Sequence, residues 1–152
     1  MCIRDSLHDI GKLTVPNTIL DKPARLDPSE RAVVEQHPAY TLSLLQRVPV
    51  FSAFADDAAN HHEWVNGKGY SRGLSGAALS PTARILAVAD VLEAVTADRP
   101  YQAHAMPIEG VEAVLTTGGG THFDEDCVEA CLDGVVEQAV ASREARRGQR
   151  VA

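Results

Sequence analysis

The chain has 152 residues, 45% apolar and 23% charged, with fourteen basic residues against twenty-one acidic ones and a formal charge of −7. A chain of this length folds as one domain that buries roughly 68–70% of its unfolded surface, and no apolar run approaches the roughly 20 residues a membrane helix needs. The acidic balance excludes a surface that draws polyanions by overall charge, so no nucleic acid polymer is expected as a partner, and an anionic substrate requires a local cation.

In chain order, Asp27-Pro28-Ser29-Glu30 joins a capping aspartate, a proline at the first helical position and a glutamate three residues after the cap. This predicts a helix over 28–36. Pro38 disfavours helical geometry at His37 and so ends it. A second helix is expected over 38–47, with Tyr40, Leu44 and Leu45 on or near its inner face. Residues 52–62 read as the next, where Ala55, Ala58 and Ala59 allow another helix to approach closely. Residues 63–79, with Gly67, Gly69, Gly73 and Gly76, form a long loop of the kind that is usually functional or disordered. Ser80-Pro81 repeats the cap-plus-proline signal and opens a long apolar helix to about 97, with Asp90 in its middle. Pro107 starts another short helix, Gly118-Gly119-Gly120 breaks the chain, and Asp124 caps a last helix reaching about 143. The tail 143–152 holds Arg143, Arg146, Arg147 and Arg150 and reads as a frayed, solvated helix end. No period-2 alternation of useful length competes, so the fold class is all-α.

Residues 1–6 lack the apolar middle of a secretory signal, and Cys2, Cys127 and Cys131 are too few for a disulfide scaffold. A reducing cytoplasm is the expected compartment.

The residues that carry chemistry are His8-Asp9, His37, His61-His62 and Asp90, at intervals that suit a metal cluster held between helices. A carboxylate beside a histidine can offer its two oxygens to two cations while the imidazole ligates one of them, which makes Asp9 a candidate bridge. Neighbouring helical residues diverge by about 100°, so His61 and His62 both line a pocket only if their helix ends there. Asp90 is an ionisable group within an apolar stretch, where burial without a partner is costly. Each residue also has a plain structural reading. A lone histidine is more often hydrogen-bonded or surface than a ligand, and Asp90 alone could pair with Arg84 or Arg99. His104 and His122 lack comparable partners in sequence, and Cys127 and Cys131 read as small core residues.

His8-Asp9-Ile10-Gly11-Lys12, His61-His62-Glu63 followed by Gly69-Tyr70, and the run from Arg84 through Asp90 to Asp98-Arg99-Pro100-Tyr101 together resemble the HD-GYP subgroup of HD-domain phosphohydrolases. The resemblance covers about residues 7–132, and several ordered motifs make it far more specific than a bare His-Asp pair. It implies an HD-domain-like helical bundle over 7–142 with two or three divalent metal ions, iron or manganese, that hydrolyses cyclic di-GMP to linear dinucleotide or GMP. Carried over by position, it implies that His8, Asp9, His37, His61, His62 and Asp90 are metal ligands and that Lys12, Gly69, Tyr70 and Arg99 face the substrate. Lys12 would then stabilise the phosphoryl charge beside Asp9, and Arg99 would hold phosphate or a guanine edge in a forked geometry.

The sequence departs from the family pattern in three places. Only seven residues precede His8, where the family has one or two helices that supply a further histidine, so a bundle incomplete at its N-terminus is expected, with 1–6 as an atypical leader. Ser71 replaces the proline of the Gly-Tyr-Pro motif, and Gln102 stands where a basic residue is common. A truncated bundle would expose apolar side chains near Leu7, Ile10 and the inner face of the 85–95 helix and so self-associate. Two other readings remain open at this point: a catalytically impaired binding or interaction module among signalling-protein partners, and a phosphohydrolase of another nucleotide.

Overall fold

The computed structural model describes residues 7–96 and 106–134, except the side chain of Ile108. A 3₁₀ turn, Ile10–Thr14, leads into α1 (Asn17–Leu20), α2 (Pro28–Val34), α3 (His37–Gln46), α4 (Pro49–Ser52) and α5 (Ala55–Ala59). A loop with a second 3₁₀ turn, Gly76–Ala78, connects these to α6 (Pro81–Thr96), α7 (Ile108–Gly118) and α8 (Glu125–Leu132). Among the described residues the β-structure is limited to isolated bridges at Asn66–Ser75 and Gly119–Phe123, and no helix is long and apolar enough to cross a membrane.

The caps fall where local chemistry places them. The Asp27 carboxylate accepts from the Ser29 and Glu30 amides while the Glu30 side chain reaches back to the Asp27 amide, a complete capping box. Ser80 accepts from the Ala83 amide at the start of α6, and Asp124 from the Cys127 amide at the start of α8.

Three expectations about the helices are corrected. The helix expected over 28–36 ends at Val34, and His37, expected to close it, opens α3 with Pro38 in its first turn, where a missing amide proton costs no helical bond. The predicted helix over 52–62 shrinks to α5, Ala55–Ala59, with Phe54 as its N-cap, and Ser52 instead ends the separate short helix α4. On α3 the buried residues are His37, Pro38, Thr41 and Leu45, whereas Tyr40 and Leu44 are exposed. Leu45 is buried as expected, but the rest of the inner face is His37, Pro38 and Thr41, so the apolar pattern misplaces Tyr40 and Leu44.

Two apolar clusters hold the chain. Leu45, Ala55 and Ala58 form one, with Leu7, Ile10, Phe51 and Phe54 packed against it. Leu7 and Ile10 are therefore half-buried and not the exposed patch expected of them. Val88, Leu92, Val111, Leu115, Phe123, Val128 and Cys131 form the other. The helix α6 touches α5 on one side and α7 and α8 on the other, so it joins the clusters. Arg84, at its first turns, donates to Asp124 Oδ2 at 2.9 Å and to the carbonyls of Gly76 and Leu79, which ties α6 to the cap of α8. The alternative Arg84–Asp90 pair is thereby excluded.

Candidate metal centre

Four elements deliver the six predicted ligands to one place. His8 and Asp9 stand just before the first 3₁₀ turn, His37 opens α3, His61 and His62 follow the end of α5, and Asp90 lies in α6. The early end of α5 at Ala59 lets both adjacent histidines face inward, with ring centroids 4.1 Å apart.

The His-Asp pair is held by Gly11 and Thr41. A Cβ at Gly11 would meet the His37 carbonyl oxygen at 2.0 Å and the Thr41 amide nitrogen at 2.7 Å, so only glycine lets the turn lie against α3. The fully buried Thr41 hydroxyl accepts from the Gly11 amide at 3.0 Å and donates to the His8 carbonyl at 2.9 Å.

His37 and His61 present themselves in one tautomer. Nδ1 of His37 lies 2.7 Å from the Val34 carbonyl oxygen and Nδ1 of His61 2.7 Å from that of Ala58. A carbonyl oxygen only accepts, so each Nδ1 carries a proton, and in the neutral form of either ring the Nε2 lone pair points inward. Those Nε2 atoms are 3.3 Å apart, and Asp9 Oδ1 is 3.2 Å from the first and 3.7 Å from the second. Oδ1 is buried with no hydrogen-bond partner among the described residues. Three buried electron-pair donors aimed at one another without a proton between them are mutually unfavourable. A cation removes that conflict, and mixed imidazole and carboxylate donors suit a transition metal.

The second Asp9 oxygen faces a different set. Oδ2 accepts from Lys12 Nζ at 2.5 Å and lies 3.6 Å from His8 Nε2, which is itself 3.4 Å from Asp90 Oδ1. The carboxylate therefore looks two ways. Potential ligand atoms close on one another in two groups: His37, His61 and His62, and His8, Asp9 and His61.

Electrostatics keeps these groups in their ligand forms. Burial drives the His61 imidazole down to about 3, reinforced by the charges of His62 and His8, and burial drives His62 down to about 4. Burial alone would raise the Asp9 carboxyl, but the Lys12 ammonium bonded to Oδ2 outweighs it and holds it well below the usual carboxylate range. Asp90 is likewise lowered, as its bond to His8 and the neighbouring imidazoles overcome desolvation.

The loop over the site is anchored to the same residues. The Tyr70 ring stacks on His62 with centroids 4.8 Å apart and an interplanar angle of 29°, and the Tyr70 amide donates to the His62 carbonyl at 3.2 Å. A Cβ at Gly69 would meet the His62 carbonyl oxygen at 2.5 Å and the Trp64 nitrogen at 2.4 Å, so this glycine permits backbone contact. Sequence reasoning missed Glu63. Its carboxylate, 2% exposed, accepts from the amides of Arg72 and Leu74, and Arg72 in turn donates to Asp56 and Asn60. Only the acidic residue directly after His61-His62 could have signalled it. His122 packs against Trp64 at 3.8 Å between centroids, and Cys131 is in the core, so both are structural as expected. Arg99, His104 and Gln102 lie outside the described residues.

The HD domain family profile matches residues 3–127. The chain belongs to the HD-domain family. It is 44% identical over 124 residues to 3'3'-cGAMP-specific phosphodiesterase 3 of Vibrio cholerae, covering 82% of this chain and 27% of that protein. A second Vibrio cholerae relative, 3'3'-cGAMP-specific phosphodiesterase 1, is 46% identical over 96 residues, 63% of this chain and 22% of the relative. Cyclic di-GMP phosphodiesterase response regulator RpfG of Xanthomonas campestris is 39% identical over 130 residues, 84% of this chain and 34% of the relative. The chain thus spans between about a fifth and a third of these relatives. The HD-GYP resemblance carried by the motifs is supported by this match.

Proposed function

We propose that this HD-domain chain is a metal-dependent phosphodiesterase that opens the ring of a guanine-containing cyclic dinucleotide, cyclic di-GMP or 3'3'-cGAMP. The observation that carries the reading is the buried, proton-free meeting of His37 Nε2, His61 Nε2 and Asp9 Oδ1, a donor set that calls for a cation. The names of the relatives supply the substrate class, and they divide between the two dinucleotides.

His37, His61, His62 and Asp9 would hold one divalent ion, and His8, Asp9 and Asp90 a second, with iron or manganese matching the nitrogen and oxygen donors. Ions held there would supply positive charge against the phosphodiester oxygens and lower the pKa of a water at the site. Asp9 turns one oxygen toward each set of donors, so its carboxylate would contribute to both. Lys12 spends one of its three donors on Asp9 Oδ2 and remains half-exposed, which leaves donors for a non-bridging phosphate oxygen. Tyr70 rests on His62 and offers a ring face and a hydroxyl to the nucleoside. The Tyr70 phenol, pushed up to about 12 by burial and by Glu35, stays protonated and can donate. Gly69 acts by letting this loop reach the site, and Arg99 is proposed as a second phosphate or guanine contact on the resemblance alone.

Metal analysis joined to turnover tests the reading. The chain should bind manganese or iron and, when loaded, convert cyclic di-GMP or 3'3'-cGAMP to linear products. A chain that carries metal and cleaves neither would defeat it.

A further inference from the structure

A cavity of about 570 Å³ lies between the first 3₁₀ turn, α1 and α2. Its volume falls within the range of small-molecule sites. It shares two residues with the metal centre. Lys12 lines it while bonding Asp9 Oδ2, and Val34 lines it while its carbonyl fixes the His37 tautomer. A ligand with a phosphate at the centre therefore has this space beside it.

The lining has a definite chemistry. Ile19, Leu20 and Leu26 give apolar surface suited to a flat ring. Lys22 is held by both oxygens of Glu30, at 2.7 and 2.6 Å, and is thereby neutralised. Arg25 also lines the cavity, is exposed, and pairs with no carboxylate among the described residues. In a chain of net charge −7, an uncommitted guanidinium beside an apolar pocket is a recognition group.

Resting on the phosphodiesterase reading above, we propose that this cavity is a nucleobase subsite and that Arg25 selects guanine in it. Guanine presents two acceptors, N7 and O6, on one edge, whereas adenine presents an acceptor and a donor. Arginine is a donor only, so it pairs with both guanine atoms and meets adenine's amino group with another donor. A subsite that reads one guanine admits cyclic di-GMP and 3'3'-cGAMP alike and disfavours cyclic di-AMP.

The test is binding, which is separable from turnover. Titrated into the 152-residue chain, GMP should bind roughly tenfold more tightly than AMP, the scale of one bidentate base contact. Arg25→Ala should remove most of that preference, Arg25→Lys should keep part of it, and Ala24→Trp, which fills the cavity, should weaken both ligands. Melting temperature and metal content identify any variant with a damaged fold. Equal GMP affinity in the parent and in a folded Arg25→Ala would overturn the assignment, as would a parent that binds neither nucleotide. Arg25-dependent GMP binding in a metal-loaded chain that cleaves no cyclic dinucleotide would refute the phosphodiesterase reading and leave the subsite standing.

Discussion

Thr41 shows how much of the centre depends on residues that hold no metal. Its buried hydroxyl is acceptor to Gly11 and donor to the His8 carbonyl, so it sets the path of the chain through His8 and Asp9. Thr41→Val keeps the shape and loses both bonds, leaving two backbone groups unsatisfied at about 1–3 kcal/mol each. It should lower melting temperature and metal content together, while Thr41→Ser restores both; a valine variant with full metal content would show that the turn holds itself. His61→Ala and His37→Ala act directly. Each removes an inward lone pair that no neighbouring side chain replaces, so metal per chain should fall in both, as read by elemental analysis. The sequence made these histidines legible because ligand chemistry limits which residues can serve. Thr41 and Glu63 are ordinary residues whose roles come from contacts 30 and 33 residues away for the first and 9 and 11 for the second, and no local pattern reports them.

Among the elements, those with strong end signals were read closely from sequence, as at Asp27, Ser80 and Asp124, because a cap is a local bond between near neighbours. The misread ones are α3 and the α4–α5 pair, where tertiary demands override local pattern. The helix α3 buries His37 and Thr41 for the site and leaves Tyr40 and Leu44 outside. The loop after His62 is a case where one carboxylate replaces regular structure: both Glu63 oxygens receive backbone amides, at Arg72 and Leu74. Glu63→Gln keeps the size but presents one acceptor in place of two. It should speed hydrogen exchange at the Arg72 and Leu74 amides and raise KM through displacement of Tyr70, with a stability loss of about 1–3 kcal/mol. Unchanged exchange at both amides would show that the loop is held elsewhere, for instance by Arg72 on Asp56.

At the scale of the whole molecule, the two apolar clusters meet the metal centre differently. Leu115 is fully buried in the cluster of α6, α7 and α8, remote in sequence from every proposed ligand except Asp90. Leu115→Ala should cost about 2–5 kcal/mol through lost contacts and the cavity left behind, with metal per folded chain unchanged. The centre itself draws on His8-Asp9, on α3, on the end of α5 and on α6, so an ion bound there adds a link between segments up to 82 positions apart. Binding to the folded chain alone adds RT ln(1 + [L]/Kd), about 2.7 kcal/mol at a hundredfold excess over Kd. For a chain of 152 residues that corresponds to a rise in melting temperature of about 5–10 °C. Manganese added to chelator-treated protein should produce this rise, and the His37→Ala and His61→Ala chains should show little of it. Calorimetry with and without metal separates the possibilities: a rise of equal size in the two variants would place the ion away from Asp9 and dissolve the link between the centre and the stability of the fold.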